Sequence, residues 1–492
     1  MDHSVMILFA ILVPILWGIF LLIKPEYKSR KNLVTTTAIG LAFTVGFSLV
    51  VILGGNMELQ LFSLGENMEV YFKVDAVGRI FAGLVTLIWP LAGLYAFEYM
   101  SHYTENKRYF GFYMMVFGVL LALTFSGSIL TFYIFYEMMT LFSMPLVFHF
   151  RSREAIMAGL KYLFYSLVGA YCVLFGIYFL NQYASTLRFT AGGALDATVA
   201  AENIGILLVA ACAMILGFGV KAGMFPMHAW LPTAHPIAPA PASAVMSSLI
   251  VKMGVLGMFR VVYFIFGTAF LRGTWVQTAW LVLTLLTVFM GSMLAYREKV
   301  FKKRLAYSTV SQLSYILFGF ACMHPVALMG ALLHVVFHAV IKAALFMSAG
   351  AVIHQTGKTR VDELKGIGKE MPITLWCFTL CACALIGFPP FSGFISKWYL
   401  ATGALQTELG VFAWLGPVVL LISALLTAGY LLPITIDGFL PGADYDYKNL
   451  KKNEPKKIMV IPILILAAIA VLFGVFPNPL IQFVEAIAQA LM

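Results

Sequence analysis

Long apolar runs alternate with short polar segments along the whole chain. Each run is close to the roughly 20 residues that a helix needs to cross a bilayer. A window of that length predicts fourteen spans, at 5–23, 33–53, 77–97, 110–126, 128–148, 158–181, 203–224, 239–264, 276–295, 302–322, 327–350, 372–393, 411–434 and 457–476. The stretch from Asn478 to Met492 is too short to span again. The first run follows directly on MDHS, with no basic leader segment or clear cleavage site, so it reads as a span and not as a removed signal.

Composition sharpens this picture. Charged residues are 11% of the 492, hydrophobic residues 61%, and the mean hydropathy is +0.92. Soluble domains carry about a quarter charged residues. A soluble enzyme, a disordered chain and a disulfide scaffold are therefore excluded. The fold class is an all-α polytopic membrane protein. Cys172, Cys212, Cys322, Cys377, Cys381 and Cys383 lie in apolar stretches without CxxC spacing. They read as small packing residues, and no metal or cofactor is expected.

The basic residues set the topology. Alternate loops hold Lys24, Lys28, Arg30 and Lys31, then Lys107 and Arg108, then Arg151, Arg153 and Lys161. The same side continues with Arg297, Lys299, Lys302, Lys303 and Arg304, then Lys358, Arg360, Lys365 and Lys369, then Lys448, Lys451, Lys452, Lys456 and Lys457. The opposite side has Lys73, Arg79, Arg188, Arg260 and Arg272. A split of 23 to 5 predicts a cytoplasmic basic side and both termini outside. The net charge of +10 is mostly this bias and does not imply nucleic acid. The tract DYDYKNLKKNEPKK reads as a solvated cytoplasmic loop.

Five ionisable residues remain inside spans: Glu137, Lys221, Lys252, Lys342 and Lys397. Intramembrane charge is costly and marks function. Two spans are also interrupted alike. The seventh reads GFGVKAGMFPMHAWLP around Lys221, and the twelfth reads GFPPFSGFISKWYL before Lys397. They are the fourth members of two consecutive five-span groups, spans 4–8 and 9–13. An odd number of spans reverses polarity, so the groups predict an inverted-topology repeat whose broken helices bound a transport site. The expected divisions are 1–106 (three N-terminal helices), 107–266 and 267–440 (the two repeats), and 441–492 (a loop, a last span and a tail).

The chemistry of these residues suits proton transfer. A lysine stripped of hydration becomes sensitive to nearby charge, and Glu137 supplies a counter-charge for Lys221. In LLHVVFHAVIKAALF, His334, His338 and Lys342 recur every four residues on one helix face. Histidine titrates near neutrality and suits a relay. His228 and His235 flank the seventh-span break and lie nearer the cytoplasmic surface, where they serve either proton uptake or structural hydrogen bonding.

The runs KAGMFPMHAWLPTAHPIAPAPASAVMS, YEMMTL and GFPPFSGFISKWYL resemble the antiporter-like subunits of respiratory complex I, Mrp-type sodium/proton antiporters and membrane-bound hydrogenases. The resemblance covers spans 4–13, about two thirds of the chain. It implies fourteen helices with two inverted five-helix repeats. Glu137 resembles the family's fifth-helix glutamate, Lys221 its seventh-helix lysine and Lys252 its bridging lysine. His334, His338 and Lys342 resemble the central relay, and Lys397 the lysine toward the outer exit. Lys397 stands where the middle complex I subunit commonly has glutamate, and the HPIAPAPASAVMS run and compact length look closer to Mrp-D-like and hydrogenase-type members. The resemblance implies a cell-membrane subunit that translocates protons, partnered by other membrane subunits, with redox chemistry left to partner chains. The alternative is sodium/proton exchange in an Mrp-type assembly without redox drive. A haem-bearing electron carrier is disfavoured, because His334 and His338 share one helix. A solute transporter or channel is a further class.

Overall fold

A computed structural model describes residues 4–25, 27–65, 67–443, 445, 446, 450 and 452–492. Lys448 and Lys451 of the basic side, the first three residues and part of the DYDYKNLKKNEPKK tract lie outside the described residues.

The chain begins with α1 (Val5–Ile23) and α2 (Arg30–Leu53), then a hairpin of β1 (Glu58–Ser63) and β2 (Glu69–Lys73). There follow α3 (Ala76–Tyr99), α4 (Asn106–Thr124), α5 (Ile129–Val147) and α6 (Arg153–Tyr183). The seventh span is split into α7 (Ile204–Lys221) and α8 (Leu231–Ile237). Next come α9 (Ala240–Phe266), α10 (Trp275–Arg297), α11 (Phe301–Ala321) and α12 (Pro325–Thr356). The twelfth span is also split, into α13 (Pro372–Ile386) and α14 (Ser392–Leu405). The chain closes with α15 (Val411–Phe439), α16 (Lys457–Val475) and α17 (Asn478–Ala490).

Among the described residues, eleven helices are long and apolar enough to cross a membrane. The other three expected spans have physical reasons for falling short. α4 opens on Asn106, Lys107 and Arg108, and α11 carries Lys302, Lys303 and Arg304 in its first turn. α13 has 15 residues because its span is broken. The hairpin is a departure from the all-α expectation. Its inner strand buries Val70, Tyr71 and Phe72 against the α4–α5 turn, where the Tyr71 N–H donates to Thr131 Oγ1 at 2.8 Å.

Helix starts are capped locally. The Ser29, Asp75, Ser128 and Ser152 side chains each accept a backbone N–H from the first turn of the helix that follows. α13 has no such residue, and the Glu454 carboxylate does the job from afar, accepting from the Ile373 and Thr374 N–H groups at 2.5 and 3.0 Å. Helix ends use glycine where the chain must turn left-handed, as at Gly387, with φ of 95°.

The bundle has two ends of different character. At one, Lys107 donates to the Pro25 carbonyl, Arg108 to the His149 carbonyl, and Lys456 pairs with Glu98 at 2.8 Å. Basic loops assigned to one side by sequence thus meet one another. At the opposite end Arg188 pairs with Glu69, and Arg260 with Asp75. The centre is formed by α9 and α12, whose most apolar windows are 100% and 94% buried, whereas that of α15 is 28% buried and faces outward.

Candidate functional site

Two groups of buried polar side chains lie inside this apolar frame. The first surrounds Lys221, the last residue of α7. Its Nζ donates to Thr140 Oγ1 of α5 and to Tyr162 OH and Ser166 Oγ of α6, each at 2.9 Å. The Tyr162 ring lies 4.3 Å away and Tyr162 OH also bonds Ser143 at 2.7 Å. A helix C-terminus favours a cation. Hydroxyls both accept and donate, so this cage solvates an ammonium by accepting and an amine by donating one proton.

The expected Glu137–Lys221 pair is not made. No ion pair within 4.0 Å joins them; Glu137 is half-buried, and its Oε1 has no protein hydrogen-bond partner. The two are near enough for their charges to interact. Lys221 is turned instead to the hydroxyls of α5 and α6.

The second group runs through the centre. Lys252 of α9 donates to the Ser247 carbonyl at 2.7 Å, within a wide π turn at Met246–Ile250. Such widened turns are frequent at functional sites. Lys342 of α12 donates to the Leu305 carbonyl of α11 at 3.0 Å. His334, two turns earlier, holds Ser396 Oγ with Nδ1 at 2.9 Å and Gln312 Oε1 with Nε2 at 3.1 Å. The Gln312 amide and the Ser396 hydroxyl can each donate or accept, so the two contacts can hold the ring in either neutral tautomer. His338 stacks on His334 at 5.8 Å and has no protein partner on either nitrogen.

Lys397 ends this series. Its Nζ donates to the Leu385 and Ile386 carbonyls at 2.7 and 2.9 Å, the last of α13, and lies 5.2 Å from the Tyr315 ring. These carbonyls lack intrahelical partners because the helix stops there. The charges of these groups reach one another. His334 feels Lys397 and Lys252, His338 feels Lys252, Lys342 and Lys397, and Lys252 feels Lys342. Adding a proton at one site therefore biases the next.

The two histidines that flank the seventh-span break divide. His228 is half-buried and stacks on Phe225. His235 is fully buried by protein; its ring stacks on Phe346 at 4.9 Å and feels Lys302, Lys342 and Lys252. It makes no protein hydrogen bond. A correction concerns Lys302, counted among the loop cations. It is buried in the first turn of α11, with Nζ donating to the Pro236 and Ala238 carbonyls at 3.1 and 2.5 Å.

Sequence reasoning missed Thr140, Tyr162, Ser166, Gln312 and Ser396. Signals existed for some: Tyr162 and Ser166 are four apart on one face, and Gln312 is an amide within an apolar span.

Comparison with known proteins agrees with this architecture. The NADH-quinone oxidoreductase subunit N of Desulforudis audaxviator is 30% identical, over 89% of this chain and 92% of its own length. The D-type subunit of a Na(+)/H(+) antiporter from Alkalihalophilus pseudofirmus is 26% identical over 99% and 97%. A chain of the Mrp complex from Dietzia sp. shares the fold with a TM-score of 0.84 at 21% identity, over 99% of this chain and 97% of that one. Residues 126–426, more than half of the chain, match the family described as NADH:quinone oxidoreductase/Mrp antiporter, TM, and with these relatives they identify a polytopic membrane protein that belongs to that family.

Proposed function

We propose that this chain moves protons across the membrane as an antiporter-like subunit of a complex-I-related assembly. The observation that carries the reading is the series of titratable groups, buried from His235 through Lys252, Lys342 and His338 to His334 and half-buried at Lys397, whose charges reach one another. Protons enter from the basic, cytoplasmic end near the seventh-span break and leave beyond Lys397, with both termini outside. Glu137 and Lys221 act as the driven element: a neighbouring subunit shifts the lysine between its hydroxyl cage and the carboxylate. The reading takes 107–266 and 267–440 as the inverted repeats. It is supported by α7 and α13, the corresponding helices of the two groups, which both break after about 27 and 22 Å, short of a full span. Other membrane subunits are the partners, and redox chemistry lies in them.

The test is Lys221→Ala and Lys397→Ala in the reconstituted complex, with proton movement followed by a pH-sensitive dye. Wild-type movement in both variants refutes the mechanism. The second reading is sodium/proton exchange in an Mrp-type assembly, supported by the similarity to a Na(+)/H(+) antiporter chain over nearly the whole length. Proton movement that requires a sodium gradient and no electron donor would select it.

A further inference from the structure

Lys302 and the cavity above it have a role that neither the family resemblance nor the relay residues supply. A cavity of about 240 Å³ opens at the basic end of the bundle, lined by Tyr99, Tyr103, Phe150, Pro236, Lys302 and Thr359 among others. Lys302 is 6% exposed, and none of the ion pairs among the described residues includes it. Two carbonyls hold its ammonium. As a mere stitch between α11 and the α8–α9 turn this is a poor choice, because a buried cation without a counter-charge is costly.

The next residue inward explains the choice. His235 immediately precedes Pro236, whose carbonyl Lys302 holds. Its two ring nitrogens lack protein partners although the side chain is fully buried. Buried polar groups are nearly always satisfied, so the imidazole is suited to exchange with small hydrogen-bonding species. The charges that reach it are Lys302 on one side and Lys342 and Lys252 on the other. His235 is therefore within electrostatic reach of both the cavity lysine and the central lysines. Other ionisable groups at this mouth are Tyr99, Tyr103 and His354, with His354 stacked on His102 at 4.5 Å beside the Glu98–Lys456 pair.

We propose that Lys302 is the proton-uptake residue of the basic face, passing protons from the cavity to His235 and so to Lys252 and Lys342. In the step, the Lys302 ammonium gives one proton to the imidazole, and the amine left behind takes one from an acid in the cavity, hydronium or buffer. The carbonyls of Pro236 and Ala238 hold the nitrogen in place through both states. This inference rests on the proton-moving function proposed above.

The decisive variant is Lys302→Arg in the complete reconstituted complex, with Lys342→Ala measured in parallel. A guanidinium still donates to both carbonyls, yet it never gives up its proton. The expected result is normal assembly with proton movement slowed roughly a hundredfold, the lower end of what loss of a proton-transfer group costs. Wild-type rate in Lys302→Arg, with Lys342→Ala impaired, overturns the uptake role and leaves the function standing. Wild-type rate in both overturns the function as well. If Lys302→Arg does not assemble, Tyr103→Cys gives a second route. A bulky membrane-impermeant thiol reagent added on the basic side then blocks proton movement in the variant and not in the unsubstituted complex. Unchanged movement in the fully labelled variant overturns the proposal.

Discussion

Tyr162→Phe tests how the Lys221 cage works. The substitution removes one of three acceptors at 2.9 Å while keeping the ring face 4.3 Å from the ammonium. Ser143 loses its partner too, but can still donate to the Met139 carbonyl at 2.6 Å. A hydrogen bond to a charged group contributes about 1.5–3 kcal/mol. Removing it shifts the balance between ammonium and amine at Lys221 by roughly ten- to a hundredfold. The attraction of Glu137 then meets weaker competition from the cage. Dye-monitored proton movement in the reconstituted complex is expected to slow by about the same factor, with subunit assembly unchanged. Thr140→Val and Ser166→Ala, which remove the other two acceptors, are expected to act in the same direction. If Tyr162→Phe moves protons at the wild-type rate while Lys221→Ala is inactive, the hydroxyl cage has no part in setting the lysine's charge.

Other substitutions separate structural from functional charge. Asp75→Asn leaves Arg260, 1% exposed, without its bidentate partner, and is expected to lower stability by about 3–5 kcal/mol in a detergent unfolding assay. Burial alone would raise the Asp75 carboxyl, but Arg260 and the Gly78 N–H together hold it below its ordinary value. Its folded form thus binds the proton less readily than the unfolded chain, so the pair's contribution is complete above about pH 4 and is lost as pH falls through the depressed value; an unchanged acid limb in Asp75→Asn would contradict this. Glu137→Gln is expected to leave stability within about 0.5 kcal/mol, since no ion pair is broken, yet to slow proton movement. A large loss of stability would mean that the pair does form at rest. Gly393→Ala places a Cβ on the Ala384 carbonyl oxygen, where α14 meets α13 backbone to backbone. Overpacking of this kind costs about 1–3 kcal/mol, and the expected outcome is a displaced Lys397 and impaired proton movement; full activity would contradict the close approach.

Much of this arrangement was legible in the sequence because a bilayer makes burial and charge readable along one dimension. The apolar runs located the helices, and three of the lysines within them, Lys221, Lys252 and Lys342, are buried. The four-residue spacing of His334, His338 and Lys342 put them on one face, as found. Where the reading went astray, the missing variable was lateral packing. Lys302 sits in the same KKR triplet as Lys303, which pairs with Glu298 at the surface, and only the fold distinguishes them. His235 is buried because α8 lies against α11, a packing that no spacing along the chain reports. The hydroxyls around Lys221 come from α5 and α6, and no spacing along α7 reports them. The β1–β2 hairpin was hidden because short polar-flanked segments leave no span-length signal.

The contrast between Arg260 and the buried lysines suggests a rule for this fold. Arg260 is held by a bidentate carboxylate, a pair whose geometry and charge are both fixed, and Arg304, whose guanidinium stays charged in any case, by the Glu298 and Tyr430 carbonyls. On the proposed path the cations are lysines held by neutral acceptors: hydroxyls at Lys221 and backbone carbonyls at Lys252, Lys302, Lys342 and Lys397. A fixed carboxylate at those points would trap the proton, because separating the pair in a low-dielectric interior costs more than either hydrogen bond returns. Neutral acceptors hold the nitrogen in position and leave its protonation to the neighbouring charges. Glu137, the carboxylate whose charge reaches Lys221, makes no ion pair with it, which in the proposed mechanism leaves its approach free to serve as the signal.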